Sequence, residues 1–143
     1  MDKEKELTSE FVEEILDKFL NKEKINDEDI DMLVAGLYYS RVIFRYKPVS
    51  NRIDGMRIDP ECVVNPSKDK FLAVYTSTKQ IKEQDCSTIS IMFNDLCNES
   101  LLKTESLKGI IINPFTKPLE VNKQLIELII MYKNFVENKN KKH

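Results

Sequence analysis

The sequence predicts an α+β fold: a mixed or antiparallel sheet with an N-terminal helical pair and a long C-terminal helix packed on it. Three observations carry that reading. Residues 1–40 hold two stretches whose apolar residues recur at i, i+3, i+4 and i+7. The middle of the chain holds several short runs dense in β-branched and aromatic residues. The end returns to helical spacing. At 143 residues the chain has the length of a single domain, 1–143. Folding a chain of that size buries roughly 68–70% of the unfolded surface, enough for a core without metal or disulfide staples.

Thr8 or Ser9 opens the first helix, where Phe11, Val12, Ile15, Leu16 and Phe19 form the apolar stripe. Glu10, Glu13, Glu14 and Asp17 fill the other face or the first turns, and acids near a helix N-terminus favour its dipole. Asn21 to Asn26 reads as a polar link. Asn26 or Asp27 then caps a second helix built on Ile30, Leu33, Val34 and Leu37. Near Tyr38 the period changes to two. Val42, Phe44 and Tyr46 alternate with Arg41, Ile43, Arg45 and Lys47, which predicts a strand from Arg41 to Val49, stopped by Pro48. Arg41, Arg45 and Lys47 then form a basic stripe on its exposed face, read as a solvated surface or as an anion or partner site.

Ser50 to Asp69, with Gly55, Pro60 and Pro66, reads as a loop containing a short strand near Glu61 to Val64. Phe71 to Thr76 is a strand, and Ser77 or Thr78 caps a short helix ending near Gln84. Thr88 to Phe93 alternates as a strand, and Asn94-Asp95 is a capping signal before a short helical or turn segment with Leu96, Leu101 and Leu102. Gly109 to Ile112 reads as a buried strand broken by Asn113-Pro114. Pro118 to Val121 returns after the four residues Pro114 to Lys117, as in a hairpin. From Asn122 a long helix follows, with Leu125, Leu128, Ile129 and Tyr132 on one face and Ile126, Ile130 and Met131 widening it. A surface that broad needs cover, from the sheet or from a second copy docking on the 122–136 helix.

Scarce residues exclude several chemistries. The one histidine, His143, is the last residue, so Ser-His-Asp and Cys-His catalysis and His-based zinc sites lack a fixed imidazole. Gly36, Gly55 and Gly109 are too far apart for a phosphate-cradling loop. Cys62, Cys86 and Cys97 form no CxxC and read as reduced structural thiols. With 22 Lys plus Arg against 24 Asp plus Glu, the net charge of −2 gives no general attraction to nucleic acid or an anionic membrane. The charged start lacks the apolar stretch of a signal peptide, and no apolar run is of bilayer-spanning length, so the expected location is cytoplasmic.

Three segments carry a family resemblance. They are Phe71-Leu72-Ala73-Val74-Tyr75-Thr76-Ser77, then Ile89 to Leu96, then Leu107-Lys108-Gly109-Ile110-Ile111-Ile112-Asn113-Pro114 with Leu119-Glu120-Val121. In that order they resemble the N-terminal domain of the bacterial SseB family over about half the chain, with the family-like core at 70–130. The Gly-Ile-Ile-Ile-Asn-Pro hairpin is the most specific part. The family pattern has Phe-Thr-Ser where this chain has Tyr75-Thr76-Ser77. Larger members carry a second domain, whose roles do not transfer. The resemblance implies the fold and an interaction role, and it supplies no catalytic residue.

The resulting expectation is a non-enzymatic protein-interaction or regulatory module, with no cofactor, metal or catalytic residue assigned. An immunity protein neutralising a bacterial toxin is one alternative. Another is a small-molecule binder or enzyme using the 50–69 loop, whose Asp54, Asp59 and Glu61 stand near Arg52 and Arg57. The candidate binding residues are Arg41, Arg45, Arg52, Arg57, Tyr75 and Asn113. Asn113, Thr76 and Ser77 also have plain turn and capping roles available to them.

Overall fold

A computed structural model describes residues 7–51, 55–81 and 87–141, with 48–51, 55–59 and 140–141 described by backbone alone. The architecture is α+β, as the residue patterns predict. Helices α1 (Ser9–Leu20) and α2 (Asp27–Tyr38) come first. Thr8 caps α1 by accepting from the Phe11 amide at 3.2 Å. Asn26 and Asp29 close a reciprocal capping box on α2, with bonds of 2.9 and 3.0 Å. Lys22 pairs with Asp29 across the link, and its hydrogen bond, ahead of that from the Asn26 backbone, holds the Asp29 carboxyl below its ordinary range.

Strand β1 (Arg41–Asn51) pairs antiparallel with β5 (Ser87–Met92) along 41–46 and with β2 (Gly55–Pro60) along 46–51. Two expectations fail here. Pro48 does not stop the strand, and residues 50–60 are largely a hairpin arm rather than a loop. The reason lies in bond alternation. The Glu61 amide donates to the Arg45 carbonyl at 2.9 Å, so 45, 47 and 49 face the β2 side while 46 and 48 face away. Pro48 and Pro60 both occupy turned-away positions, where a missing N–H removes no bond of this pair. Pro48 also lies beyond Tyr46 and Ser87, the last pair of the described β1–β5 register.

The second sheet has the order β3-β4-β6-β7, with β3 at Cys62–Val64, β4 at Lys70–Val74, β6 at Gly109–Ile112 and β7 at Leu119–Asn122. β4 and β6 run parallel and the other pairs antiparallel. The predicted hairpin is β6–β7, joined by residues 113–118, with Pro118 in the turn rather than the strand. Gly109 permits a close backbone approach: a Cβ there would lie 2.1 Å from the Val121 carbonyl oxygen, and its φ of +157° suits glycine.

Short helices α3 (Phe93–Leu96) and α4 (Glu99–Lys103) precede β6, and α5 (Lys123–Lys141) closes the chain. Capping differs from expectation here. Asn98, not Asn94-Asp95, caps a helix, accepting from the Leu101 amide at 2.9 Å. Asn94 instead donates its side-chain amide to the Tyr38 carbonyl at 2.7 Å, satisfying a carbonyl in the last turn of α2. Asn122 caps α5 through the Leu125 amide at 2.9 Å.

One apolar cluster joins these layers. It contains Val12 and Leu16 of α1, Leu33, Val34 and Leu37 of α2, alternate residues of β1, β4, β6 and β7, and Ile126 and Ile129 of α5. The opposite face of the second sheet carries a smaller cluster of Phe71, Ala73 and Ile111. Tyr38 and Tyr132 meet edge to face with centroids 5.1 Å apart, fastening the end of α2 to α5. Phe11, expected in the α1 stripe, is 49% exposed, and Leu128 and Met131 of α5 face outward rather than into the core. Ile126 and Ile129 form the buried seam of α5, with Leu125, Ile130 and Tyr132 packed against it partly buried.

Candidate functional site

The first cluster of polar side chains sits at a fork between the two sheets. β1 and β4 are bridged directly where Ile43 and Tyr75 exchange backbone bonds of 2.8 and 2.7 Å. Two residues further they have parted, and Glu61 fills the gap. Its amide donates to Arg45 of β1, and its carbonyl accepts from the Ala73 amide of β4 at 3.0 Å. The side chains repeat that bridge. The Tyr75 hydroxyl donates to Glu61 Oε1 at 2.8 Å, and Arg45 Nη1 donates to Glu61 Oε2 at 3.4 Å. Tyr75 is fully buried. Burial, and then the Glu61 carboxylate it donates to, push its phenol well above the ordinary value near 10. Both carboxylate oxygens therefore have donors, and the phenol is held protonated. These bonds form a lock between the two sheets.

The second cluster lies beyond the carboxyl ends of the parallel neighbours β4 and β6. Residue 76 follows the bridge residue Tyr75, so its side chain falls on the other sheet face, toward α1. The Thr76 hydroxyl donates to Glu13 Oε2 of α1. The same oxygen accepts from Gln80 Nε2 at 3.1 Å and from the Ser77 hydroxyl at 3.4 Å. Asn113, just past β6, adopts φ of +53°, a left-handed conformation that asparagine tolerates. Its amide donates to the Val74 carbonyl at 2.9 Å. Its side-chain Oδ1 accepts from the Thr76 amide at 3.1 Å, and its Nδ2 donates to the Thr76 hydroxyl at 3.1 Å. The side chain thus adds one more rung to the β4–β6 ladder.

These residues wall a cleft of about 260 Å³ lined by Glu13, Leu16, Asp17, Gln80, Asn113, Thr116 and Lys117. Gln80 accepts from the Thr116 hydroxyl at 2.6 Å, and Lys117 pairs with Asp17 at 3.2 Å across the mouth. Ser77 makes no capping bond to the 3₁₀ turn at Thr78–Gln80, and neither it nor Thr76 serves the capping role the sequence suggests. Their hydroxyls anchor Glu13 instead. The expected helix end near Gln84 lies outside the described residues.

The structure therefore brings Arg45 and Tyr75 together with Glu61 at the fork, and places Asn113 in the cleft. Arg41 is exposed at the start of β1, opposite Met92. Arg57 stands opposite Val49 in β2, where only the backbone is described, and Arg52, Asp54 and Cys86 lie outside the described residues. The sequence reading missed Glu13 and Gln80 as members of a site. Glu13 looks like any acid near the start of a helix and lies 63 residues from Thr76. The usable signal was the pair of polar strand exits, Thr76-Ser77 and Asn113-Pro114. Burial pushes the Cys97 thiol up to about 12, which leaves it unreactive at neutral pH. Among the described residues no group of His, Cys, Asp and Glu could hold a metal, and no helix is long and apolar enough to cross a membrane. No family model, curated protein or solved structure matches the chain.

Proposed function

We propose that the chain is a non-enzymatic protein-interaction module of the SseB type, whose docking surface is the outer face of α5. One observation carries this reading. Leu128, Met131 and Phe135 are 40%, 65% and 63% exposed at i, i+3 and i+7, while Ile126 and Ile129 of the same helix are fully buried. Fully covering a side chain of this kind stabilises a complex by about 1.5–3 kcal/mol. The stripe fits a partner presenting an apolar surface, such as the apolar face of a helix laid alongside it. The resemblance over 70–130 supports the interaction role. A toxin-neutralising protein is the form of this reading in which the partner is a toxin. The Glu61 carboxylate, a candidate acid or base, is occupied at the fork, which favours docking over catalysis.

Differential capture tests the proposal. Wild-type protein and a Met131→Asp/Phe135→Asp variant, both shown folded by circular dichroism, are used as baits in a native lysate. A specific protein retained by the wild type and lost by the variant is the expected result. Identical captures from the two baits overturn the assignment of the surface. Light scattering on the same pair decides whether a second copy is the occupant: a wild-type dimer that the variant converts to monomer would replace the heterologous partner.

A further inference from the structure

We propose that the cleft beyond β4 and β6 binds a small amino-acid-like zwitterion, its ammonium taken by Glu13 and Asp17 and its carboxylate by Lys117 and Asn113. The position is one where open sheets form crevices, because two adjacent parallel strands end together and their chains leave in different directions. β4 exits through the 3₁₀ turn that carries Gln80, and β6 exits through the 113–118 turn that carries Thr116 and Lys117. The cleft, about 260 Å³, falls below the roughly 300–1,000 Å³ of drug-sized sites, so it suits a ligand of few heavy atoms.

Its chemistry is held ready by bonds on one side only. Glu13 receives Thr76, Ser77 and Gln80 on Oε2, and no donor among the described residues reaches Oε1. Asn113 is 5% exposed, and Nδ2 gives one hydrogen to Thr76 while its second has no acceptor among the described residues. A buried amide that lines a cleft and keeps a hydrogen to donate is suited to an oxygen ligand. Asp17 and Lys117 add an acceptor and a cation at the mouth, where they are 47% and 65% exposed and, among the described residues, pair with each other. That exposed pair contributes little stability, so its opening to admit a ligand costs little. A simple anion would face Glu13 and Asp17, and a simple cation would leave Lys117 and Asn113 unused. A molecule with both charges engages all four, with Leu16 forming the apolar wall for its side chain.

Titration of ¹⁵N-labelled protein with individual free amino acids, up to about 20 mM, tests the proposal at the weak end of the affinity scale. Methylamine and acetate serve as single-charge probes. The expected result is saturable shifts of residues 13–17, 76–80 and 113–117 with one or more amino acids, but with neither single-charge probe. Asp17→Asn and Lys117→Met, both at exposed positions that leave the anchored network intact, are each expected to weaken binding about tenfold. Absence of saturable shifts with every amino acid overturns the proposal. So does binding unaffected by both substitutions, or equal binding of methylamine or acetate. Loss of the α5 docking surface in Met131→Asp/Phe135→Asp leaves this titration unchanged, so the two proposals fail separately.

Discussion

Removal of the Tyr75 hydroxyl measures how firmly the two sheets are locked. In Tyr75→Phe the ring stays packed in its fully buried position, and the hydroxyl loses its 2.8 Å bond to Glu61 together with its interaction with Arg45. A hydrogen bond to a charged group contributes about 1.5–3 kcal/mol. The Glu61 side chain is 22% exposed and keeps Arg45, so water replaces part of the loss. The expected cost is about 1–2 kcal/mol. Glu61→Ala is expected to cost more, because it removes the acceptor of a buried hydroxyl, with a desolvation penalty of about 1–3 kcal/mol, and releases Arg45. The Arg45 contact is long at 3.4 Å and partly exposed, which limits its own contribution to about 0.5–1 kcal/mol. Once residue 75 is Phe, Glu61→Ala no longer removes the acceptor of a buried hydroxyl, and only the release of Arg45 remains. A double-mutant cycle by urea unfolding should therefore give a coupling of about 1–2 kcal/mol. Additivity within about 0.3 kcal/mol would refute the lock.

Alkaline pH probes the same phenol by linkage. Because the folded-state pKa of Tyr75 is raised above the ordinary value near 10, its contribution is complete below pH 10 and is lost as pH rises further. Stability of the wild type should fall above that pH by up to about 1.4 kcal/mol per unit more steeply than that of Tyr75→Phe, read from urea midpoints. Gly109→Ala drives a methyl group against the Val121 carbonyl 2.1 Å away, and should destabilise by about 2–4 kcal/mol in the same assay. Asn113→Ala loses the side-chain bonds to Thr76 and the tolerance for φ of +53°. Asn113→Gly loses only the bonds, so it should retain about 1 kcal/mol more stability than the alanine variant. The Cys97 thiol, 3% exposed and pushed up to about 12, should resist iodoacetamide at pH 8 in native protein and react in urea, as read by peptide mass spectrometry.

Periodicity made the fold legible where a single physical rule governs a segment. The Leu33, Val34 and Leu37 stripe, the alternation of Val42 and Phe44, and the Gly109-Ile110-Ile111-Ile112 run all bury the residues their spacing selects. The failures come where tertiary context outranks a local rule. Pro48 reads as a stop, yet bond alternation places it where the strand needs no donor. Leu128 and Met131 satisfy helical spacing as well as Ile126 does, and only the arrangement of α2 and the sheet decides which face is covered. At the candidate sites, Arg45, Tyr75 and Asn113 could be singled out from sequence because strand and turn rules place them. Glu13 could not, since its role depends on α1 crossing the ends of strands far along the chain. Thr76 and Ser77 had a local use as caps, and a distant carboxylate took their hydroxyls instead.

Tyr75 and Thr76 show how the fork and the cleft depend on each other. Neighbouring residues at a strand end point to opposite faces, so a single peptide unit sends Tyr75 to Glu61 on one side and Thr76 to Glu13 and Asn113 on the other. The Ile43–Tyr75 bridge fixes that peptide from β1, and the Asn113 side chain fixes it from β6 through the Thr76 amide. A peptide held from both neighbours has little freedom to rotate, and the hydroxyl of Thr76 inherits that restriction. The carboxylate of Glu13 is then positioned by a backbone that both sheets constrain, rather than by α1 alone. Pre-organisation of this kind reduces the ordering cost of binding. The lock between the sheets and the chemistry of the cleft are thus consequences of the same two-residue alternation.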